Sequence, residues 1–124
     1  MRAVGERLKA FALSFPETEE THPWGETAIK VKGKVFVFMH IGDEHLSLSV
    51  KLPHSREYAL DRDFASPTHY GLGAKGWVSA KFEGKGQKGK AGKNKLPADL
   101  LEAWIEESYR AIAPKRVLAK LEGK

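Results

Sequence analysis

Cysteine is absent from this chain of 124 residues, which excludes disulfides, thiolate catalysis and cysteine-ligated metals. Long apolar runs are absent too, and no stretch approaches the roughly 18 to 20 residues that cross a bilayer. The first 15 residues are amphipathic and carry internal charges, unlike the apolar segment of a secretory signal. We therefore expect a cytoplasmic protein without membrane insertion.

The residues that are present suit a folded protein of modest size. Hydrophobic residues make up 41% of the chain and charged residues 30%, a balance typical of globular rather than disordered proteins. A chain of 124 residues is long enough to bury one core and too short for two ordinary domains. The sequence predicts a single domain over residues 1–124.

The positive charge of the chain is concentrated in one place. Residues 84–95, the lysine segment, contain no acidic residue and five lysines: Lys85, Lys88, Lys90, Lys93 and Lys95. These five charges equal the formal net charge of +5 of the whole chain, so the remaining residues are together neutral. With four glycines and no large apolar side chain, the lysine segment is predicted to be a flexible loop.

Hydrophobic periodicity separates helices from strands. The predicted helices are residues 3–14, 54–62, 97–112 and a short one after Pro114. The predicted strands are residues 27–31, 35–41, 45–52 and 76–84, with connectors at 17–20 and 63–76 and tight turns at Gly33-Lys34 and 42–44. This order predicts an α+β fold, in which an antiparallel meander packs against an N-terminal helix and C-terminal helices.

No pattern of catalytic or metal-binding residues is present. The five histidines lack the spacing of a helical metal site, although His40 and His45 flank one predicted hairpin and can approach each other across it. The serines alternate along strands and do not occur in a nucleophile motif. We expect a non-enzymatic protein with no metal and no cofactor.

One face of the predicted sheet combines basic, hydroxyl and aromatic side chains. Lys30, Lys32, Lys51 and Lys81 fall on it with Ser47, Ser49, Ser79 and Trp77, and Phe36, Phe38 and His40 either join them or lie in the core under a helix. Rings that stack on bases and lysines that hold phosphates are what a nucleic-acid surface needs. The alternative is that the lysines only border a covered sheet and that the lysine segment is a solvated insertion.

A family resemblance runs through most of the chain. The chain resembles the MmcQ/YjbR-like family in four stretches: HPWGETAIKVKGKVFVF, LSLSVKLP, Tyr70 shortly before GWVSAKF, and IEESYRAIAPKRV. The resemblance implies a small α+β protein of the CyaY-like double-wing arrangement and a DNA-binding role, and it brings no catalytic residue or cofactor. Members of that family usually have a short connection where this chain has the lysine segment.

The HPWG cluster at the start of the first long strand is interpreted as part of the fold. Pro23 fixes the approach of the chain, Trp24 covers the end of the core and Gly25 permits the bend. The Ser108-Tyr109 pair is likewise interpreted as structural, with Tyr109 packing on the sheet. His22 and Glu26 remain candidates for a groove beside the sheet.

The leading hypothesis is DNA binding with little sequence specificity, with DNA favoured over RNA. The five lysines of the lysine segment would contact phosphates, assisted by Lys30, Lys32, Lys51 and Lys81, with Trp77 as a stacking residue. Two alternatives stay open. One is a protein-interaction adaptor that uses an exposed apolar patch on the last two helices, and the other is a small-molecule binder with a groove near His22, Trp24 and Tyr70.

Overall fold

A computed structural model describes residues 1–69, 71–84 and 96–123. The predicted α+β architecture is confirmed, with helices packed against an antiparallel sheet. The helices are α1 (Arg2–Leu13), α2 (Arg56–Leu60), α3 (Ala98–Ile112) and α4 (Lys115–Gly123). The strands are β1 (Thr18–Thr21), β2 (Thr27–Val31), β3 (Lys34–Ile41), β4 (His45–Lys51), β5 (Ala65–Pro67) and β6 (Trp77–Glu83). Within these residues they form one six-stranded sheet in the order β1-β2-β3-β4-β6-β5.

The core lies between one face of the sheet and the helices α1 and α3. The alternation predicted for β4 is observed, since Leu46, Leu48 and Val50 are buried while the serines between them point to the other face. Helix α1 approaches this face so closely that a Cβ atom added to Gly5 would lie 2.6 Å from Cγ2 of Ile41. Both helices therefore cover the same face, and the opposite face, called the open face below, is left without a helix from α1 or α3.

A bulge in β3 is held by a serine of α3. Ile29 pairs with Val37, but Lys30 pairs with Val35, so Phe36 is an extra residue outside the β2–β3 ladder. The hydroxyl of Ser108 donates to the carbonyl oxygen of Phe36 at 2.5 Å and accepts from the backbone N–H of Lys51 at 2.9 Å. A single buried hydroxyl thus connects α3, β3 and β4.

The neighbouring tyrosine fixes α3 to the end of α1. The hydroxyl of Tyr109 donates to the carbonyl oxygen of Pro16 at 2.8 Å, and its ring stacks on Phe15 with centroids 4.5 Å apart. Phe36 meets the same ring edge-on at 5.2 Å. The structural interpretation of the Ser108-Tyr109 pair agrees with these contacts, and Phe36 belongs to the core.

Two strands lie where the sequence predicted connectors. Strand β1 occupies most of the acidic connector at 17–20, and β5 lies within the predicted loop at 63–76. Both are short edge strands, and β1 has no large apolar side chain. Charged residues on an edge strand discourage pairing with other chains. Periodicity of apolar residues could not reveal them.

The first hairpin turn is shifted by one residue from its predicted position. Lys32 and Gly33, with φ angles of 50° and 84°, form the two-residue turn between Val31 and Lys34. Positive φ at both positions matches the turn type that suits the twist of paired strands. Lys32 therefore lies in the turn and not on the sheet face where the sequence placed it.

Tyr70 and the lysine segment beyond Gly84 lie outside the described residues. The flexibility expected for the lysine segment therefore stays a prediction. In the part of the chain that is described, no helix has the length and apolar character needed to span a bilayer.

Replacement of Ser108 by alanine is expected to destabilise the protein by about 1–3 kcal/mol, because it leaves a buried carbonyl and a backbone N–H without their partner. Urea unfolding should show a lower midpoint with an unchanged slope. Ser14→Ala, which removes an exposed hydroxyl bonded to the carbonyl of Phe11, is the control and should change stability much less. Equal effects of the two substitutions would contradict this role of Ser108.

The raised pKa of Tyr109 predicts that the protein loses stability at high pH. Burial, with a smaller contribution from the charge of Glu17, raises the pKa of Tyr109 above its usual value of 10.0. From about pH 10 the unfolded chain ionises this phenol, whereas the folded protein keeps it protonated to a higher pH, so its contribution to stability is full below pH 10 and is lost as the pH rises through the folded-state pKa. Between pH 9 and pH 11 the free energy of unfolding, measured in urea, should fall more for the native chain than for Tyr109→Phe. Equal decreases would argue against this contribution of Tyr109.

Candidate functional site

The open face brings together polar side chains from three central strands. Phe38 of β3 pairs with Ser49 of β4, which in turn pairs with Ser79 of β6. One pair further along, His40 lies opposite Ser47 and Ser47 lies opposite Lys81. The alternation predicted for β4 and β6 therefore places these hydroxyl, imidazole and ammonium groups on one surface.

A groove of about 530 Å³ occupies this face. Strands β3, β4 and β6 form its floor, Thr68, His69 and Leu72 form one wall, and Glu26 lies at the other side. The sequence did not reveal the wall formed by Thr68, His69 and Leu72, because it follows the edge strand β5, which has only three residues and no apolar alternation. This open-face groove is the principal candidate site.

Three hydroxyls form a hydrogen-bonded chain on the floor and wall of the groove. The Oγ atoms of Ser49 and Ser79 are 2.7 Å apart, and Oγ1 of Thr68 is 2.9 Å from Oγ of Ser79. Either atom of each pair can be the donor. Because a hydroxyl both donates and accepts, the chain keeps its members ordered and leaves capacity for a ligand.

Two histidines and a glutamate lie at one end of the groove. The ring centroids of His40 and His45 are 5.0 Å apart, so the predicted approach across the hairpin is observed. Nδ1 of His45 is 3.3 Å from a carboxylate oxygen of Glu83. Among the residues described, no group of three or more histidine and acidic side chains is arranged to hold a metal ion.

The charged side chains of the groove do not favour an anion. With its three histidines counted as neutral, one lysine (Lys81) faces two glutamates (Glu26 and Glu83), so the described residues of the lining have a formal charge of −1. Like charges repel at short range, and a phosphate placed among these carboxylates would meet that repulsion. The groove is therefore a polar site of slightly acidic character.

The aromatic residues of the open face differ in exposure. Phe38 is half-buried and lines the groove, whereas Trp77 is only 8% exposed. The two rings are tilted against each other with centroids 5.9 Å apart. This burial argues against the predicted stacking role of Trp77 and leaves Phe38 as the more accessible of the two rings.

The predicted sheet lysines are spread over different places. Lys81 lines the groove, Lys51 is half-buried opposite Trp77, and Lys30 pairs across strands with Glu19. Lys32, in the hairpin turn, lies 3.9 Å from a carboxylate oxygen of Glu17. Of these four lysines, only Lys81 lines the open-face groove. Lys85, Lys88, Lys90, Lys93 and Lys95 lie outside the described residues.

The HPWG cluster forms a single 3₁₀ turn at Pro23–Gly25 before β2, and Gly25 adopts a φ of 82°. Glu26 follows this turn and reaches the groove, as the sequence allowed. His22 instead bonds to Glu20 at 2.8 Å. Burial opposes ionisation of Glu20, but hydrogen bonds from His22 and Lys9 hold its pKa below the usual value. His22 is not among the residues that line the open-face groove. Tyr70 and the Trp24 side chain lie outside the described part, so the groove predicted near these three residues stays a prediction.

The apolar patch expected for an adaptor is not found in the described residues. Their one exposed large hydrophobic side chain is Tyr58 of α2, which is 79% accessible. On α4, Val117 is buried, and Leu118 and Leu121 are half-buried against the core.

Comparison with known families identifies the chain. Residues 13–111 match the sequence profile of the YjbR family, from the last residue of α1 to the last turn of α3. The chain belongs to the YjbR family. The resemblance stated from the sequence is thereby confirmed, and the region that defines this YjbR-family protein contains the entire open-face groove and the lysine segment. A comparison with curated proteins found no match.

Replacement of Ser79 by alanine should cost about 0.5–1.5 kcal/mol of stability, because Ser49 and Thr68 can hydrogen-bond to water in the groove once their shared partner is gone. Ser66→Ala, at the exposed position paired with Ser79 on β5, is the matched control and should be near neutral. Urea midpoints measure both. A loss above about 3 kcal/mol would mean that the chain is buried from water and not part of an accessible site.

Proposed function

We propose that this YjbR-family protein binds DNA with little sequence specificity and catalyses no reaction. The observation that carries the proposal is the position of its charge. The charge of the lysine segment, +5, equals the net charge of the whole chain. In the sequence this segment directly follows Glu83, which is the last residue of β6 and lines the groove.

The attachment of the lysine segment supports this function. Glu83, the last residue of β6, lines the groove, and the next residue, Gly84, donates its backbone N–H to the carbonyl oxygen of Glu44 at 2.8 Å. The five lysines follow directly in the sequence. Lysines that contact phosphates release counterions, and this contribution to affinity does not depend on base sequence. A polyanion held by these lysines would pass beside the open face.

The open face supplies polar groups that a ligand can bind. Its serine and threonine hydroxyls bond to one another, and His45 bonds to a carboxylate. Such groups offer donors and acceptors to a ligand laid across the sheet. Affinity would come from the lysine segment, and the groove would contribute the contacts nearer the bases.

Removing charge from the lysine segment should weaken binding for all sequences and flatten its salt dependence. With five phosphate contacts, the slope of log affinity against log salt is expected to be about −4 to −5. Changing Lys88, Lys90 and Lys93 to glutamine should reduce this slope by about 2 to 3. Fluorescence anisotropy of labelled duplex and single-stranded DNA, titrated at several salt concentrations, measures both quantities.

A control with the same change of charge separates local contact from net charge. Lys34, Lys75 and Lys115 are exposed and are not among the proposed contacts, so their change to glutamine should leave most of the slope intact. Equal flattening in both variants would show that the lysine segment has no special role. An absence of binding even at low salt would refute the proposed function itself.

A further inference from the structure

We propose that the open-face groove binds an unpaired nucleobase, so that the protein prefers single-stranded nucleic acid to duplex. This inference rests on the proposed function, because it names the form of nucleic acid that the same surface takes. It depends on the charge, the aromatic floor and the size of the groove.

The charge of the groove favours a nucleobase over a phosphate as its occupant. The described residues of the lining have a formal charge of −1, and a phosphate placed between Glu26 and Glu83 would be repelled. Carboxylates do accept hydrogen bonds from the exocyclic amines that most nucleobases carry. The groove therefore suits the neutral, amine-bearing part of a nucleotide, and the phosphates would lie outside it.

The floor of the groove offers both surfaces that a base needs. Phe38 presents a partly accessible ring, and its contact with Trp77 at 5.9 Å supports it from one side. Next to it lies the half-buried hydroxyl of Ser49, which bonds to the buried hydroxyl of Ser79 and can still donate to or accept from a base edge. Stacking on an aromatic ring tolerates any base because every base has a π face.

The groove requires that the base be free of its partner strand. A volume of about 530 Å³ falls within the range of about 300 to 1,000 Å³ typical of small-ligand pockets, so the groove has room for one nucleotide and not for a duplex. In a duplex the base faces are stacked and the pairing edges are occupied. Both become available only in a single strand or at an extruded base.

The test compares three labelled DNA probes of equal length by fluorescence anisotropy, using the whole chain at one salt concentration. They are a single strand, the matching duplex, and a single strand in which the bases are replaced by abasic sites. We expect the single strand to bind at least about fivefold more tightly than the abasic strand, the scale of one base–aromatic stack. We expect the same single strand to bind more tightly than the duplex, although the duplex has the greater phosphate density.

Protein variants assign this preference to the groove. Phe38→Ala and Phe38→Leu, the second of which keeps apolar volume without a π face, should both reduce single-strand affinity about fivefold or more and leave abasic binding unchanged. Tyr58→Ala removes an exposed ring that does not line the groove, and should change neither. An RNA single strand of the same sequence should show the same dependence on Phe38, since the base and not the sugar enters the groove.

Other outcomes separate this inference from the proposed function. If all three probes bind equally and Phe38 variants behave like the native chain, the groove inference is overturned while DNA binding through phosphates stands. If free nucleosides bind the groove with the same dependence on Phe38 but no oligonucleotide binds, the proposed function fails and the groove is a site for a free nucleoside. Failure of every probe, nucleosides included, overturns both.

Discussion

The hydroxyl of Ser108 is the contact on which the arrangement of this fold depends. It satisfies the carbonyl of Phe36 at the bulge and the N–H of Lys51 at the end of β4, so α3 is tied to two central strands at once. Tyr109 then ties the same helix to the chain just after α1. Both hydroxyls lie in the core, and burying either of them without its hydrogen-bond partners would be costly. Helix α3 therefore has one position that satisfies both.

The position of α3 determines where a site can form. With α1 and α3 on one face, the alternate residues of β4 divide into a buried apolar set and a half-buried polar set, and on β6 Lys81 is exposed on the open face while Ser79 and Trp77 are buried there. The groove is the part of the polar face that Glu26 borders on one side and Thr68, His69 and Leu72 border on the other. The functional surface is therefore a direct consequence of helix packing on the opposite side of the sheet.

The sequence revealed those parts of the fold whose residues alternate or repeat. Strands β2, β4 and β6 and helices α1 and α3 follow apolar periodicity, and tertiary burial reinforced that pattern. Strand β3 was predicted from a run that is apolar on both faces, and the short helices α2 and α4 from their positions after Pro53 and Pro114. The strands β1 and β5 escaped because edge strands bury little and carry polar residues. For the site, the pattern revealed Lys81 and the serines on the floor, but not Thr68, His69 or the burial of Trp77, since those depend on tertiary contacts.

The bulge also explains one departure from the simple pattern. An extra residue in β3 reverses the alternation around Phe36, so that Phe36 and Val37 are both buried while Phe38 reaches the open face. A strict period of two would place Phe36 and Phe38 on the same side. Their separation supplies one ring to the core and the other to the groove.

The chain of hydroxyls through Ser49, Ser79 and Thr68 can run in two directions. If every O–H rotates, each donor becomes an acceptor, and the hydrogen bonds of 2.7 and 2.9 Å persist with opposite polarity. The surface then offers an incoming group a lone pair in one state and a proton in the other, without moving any heavy atom. A site built this way adapts its polarity to its ligand and so discriminates poorly between ligands of similar shape.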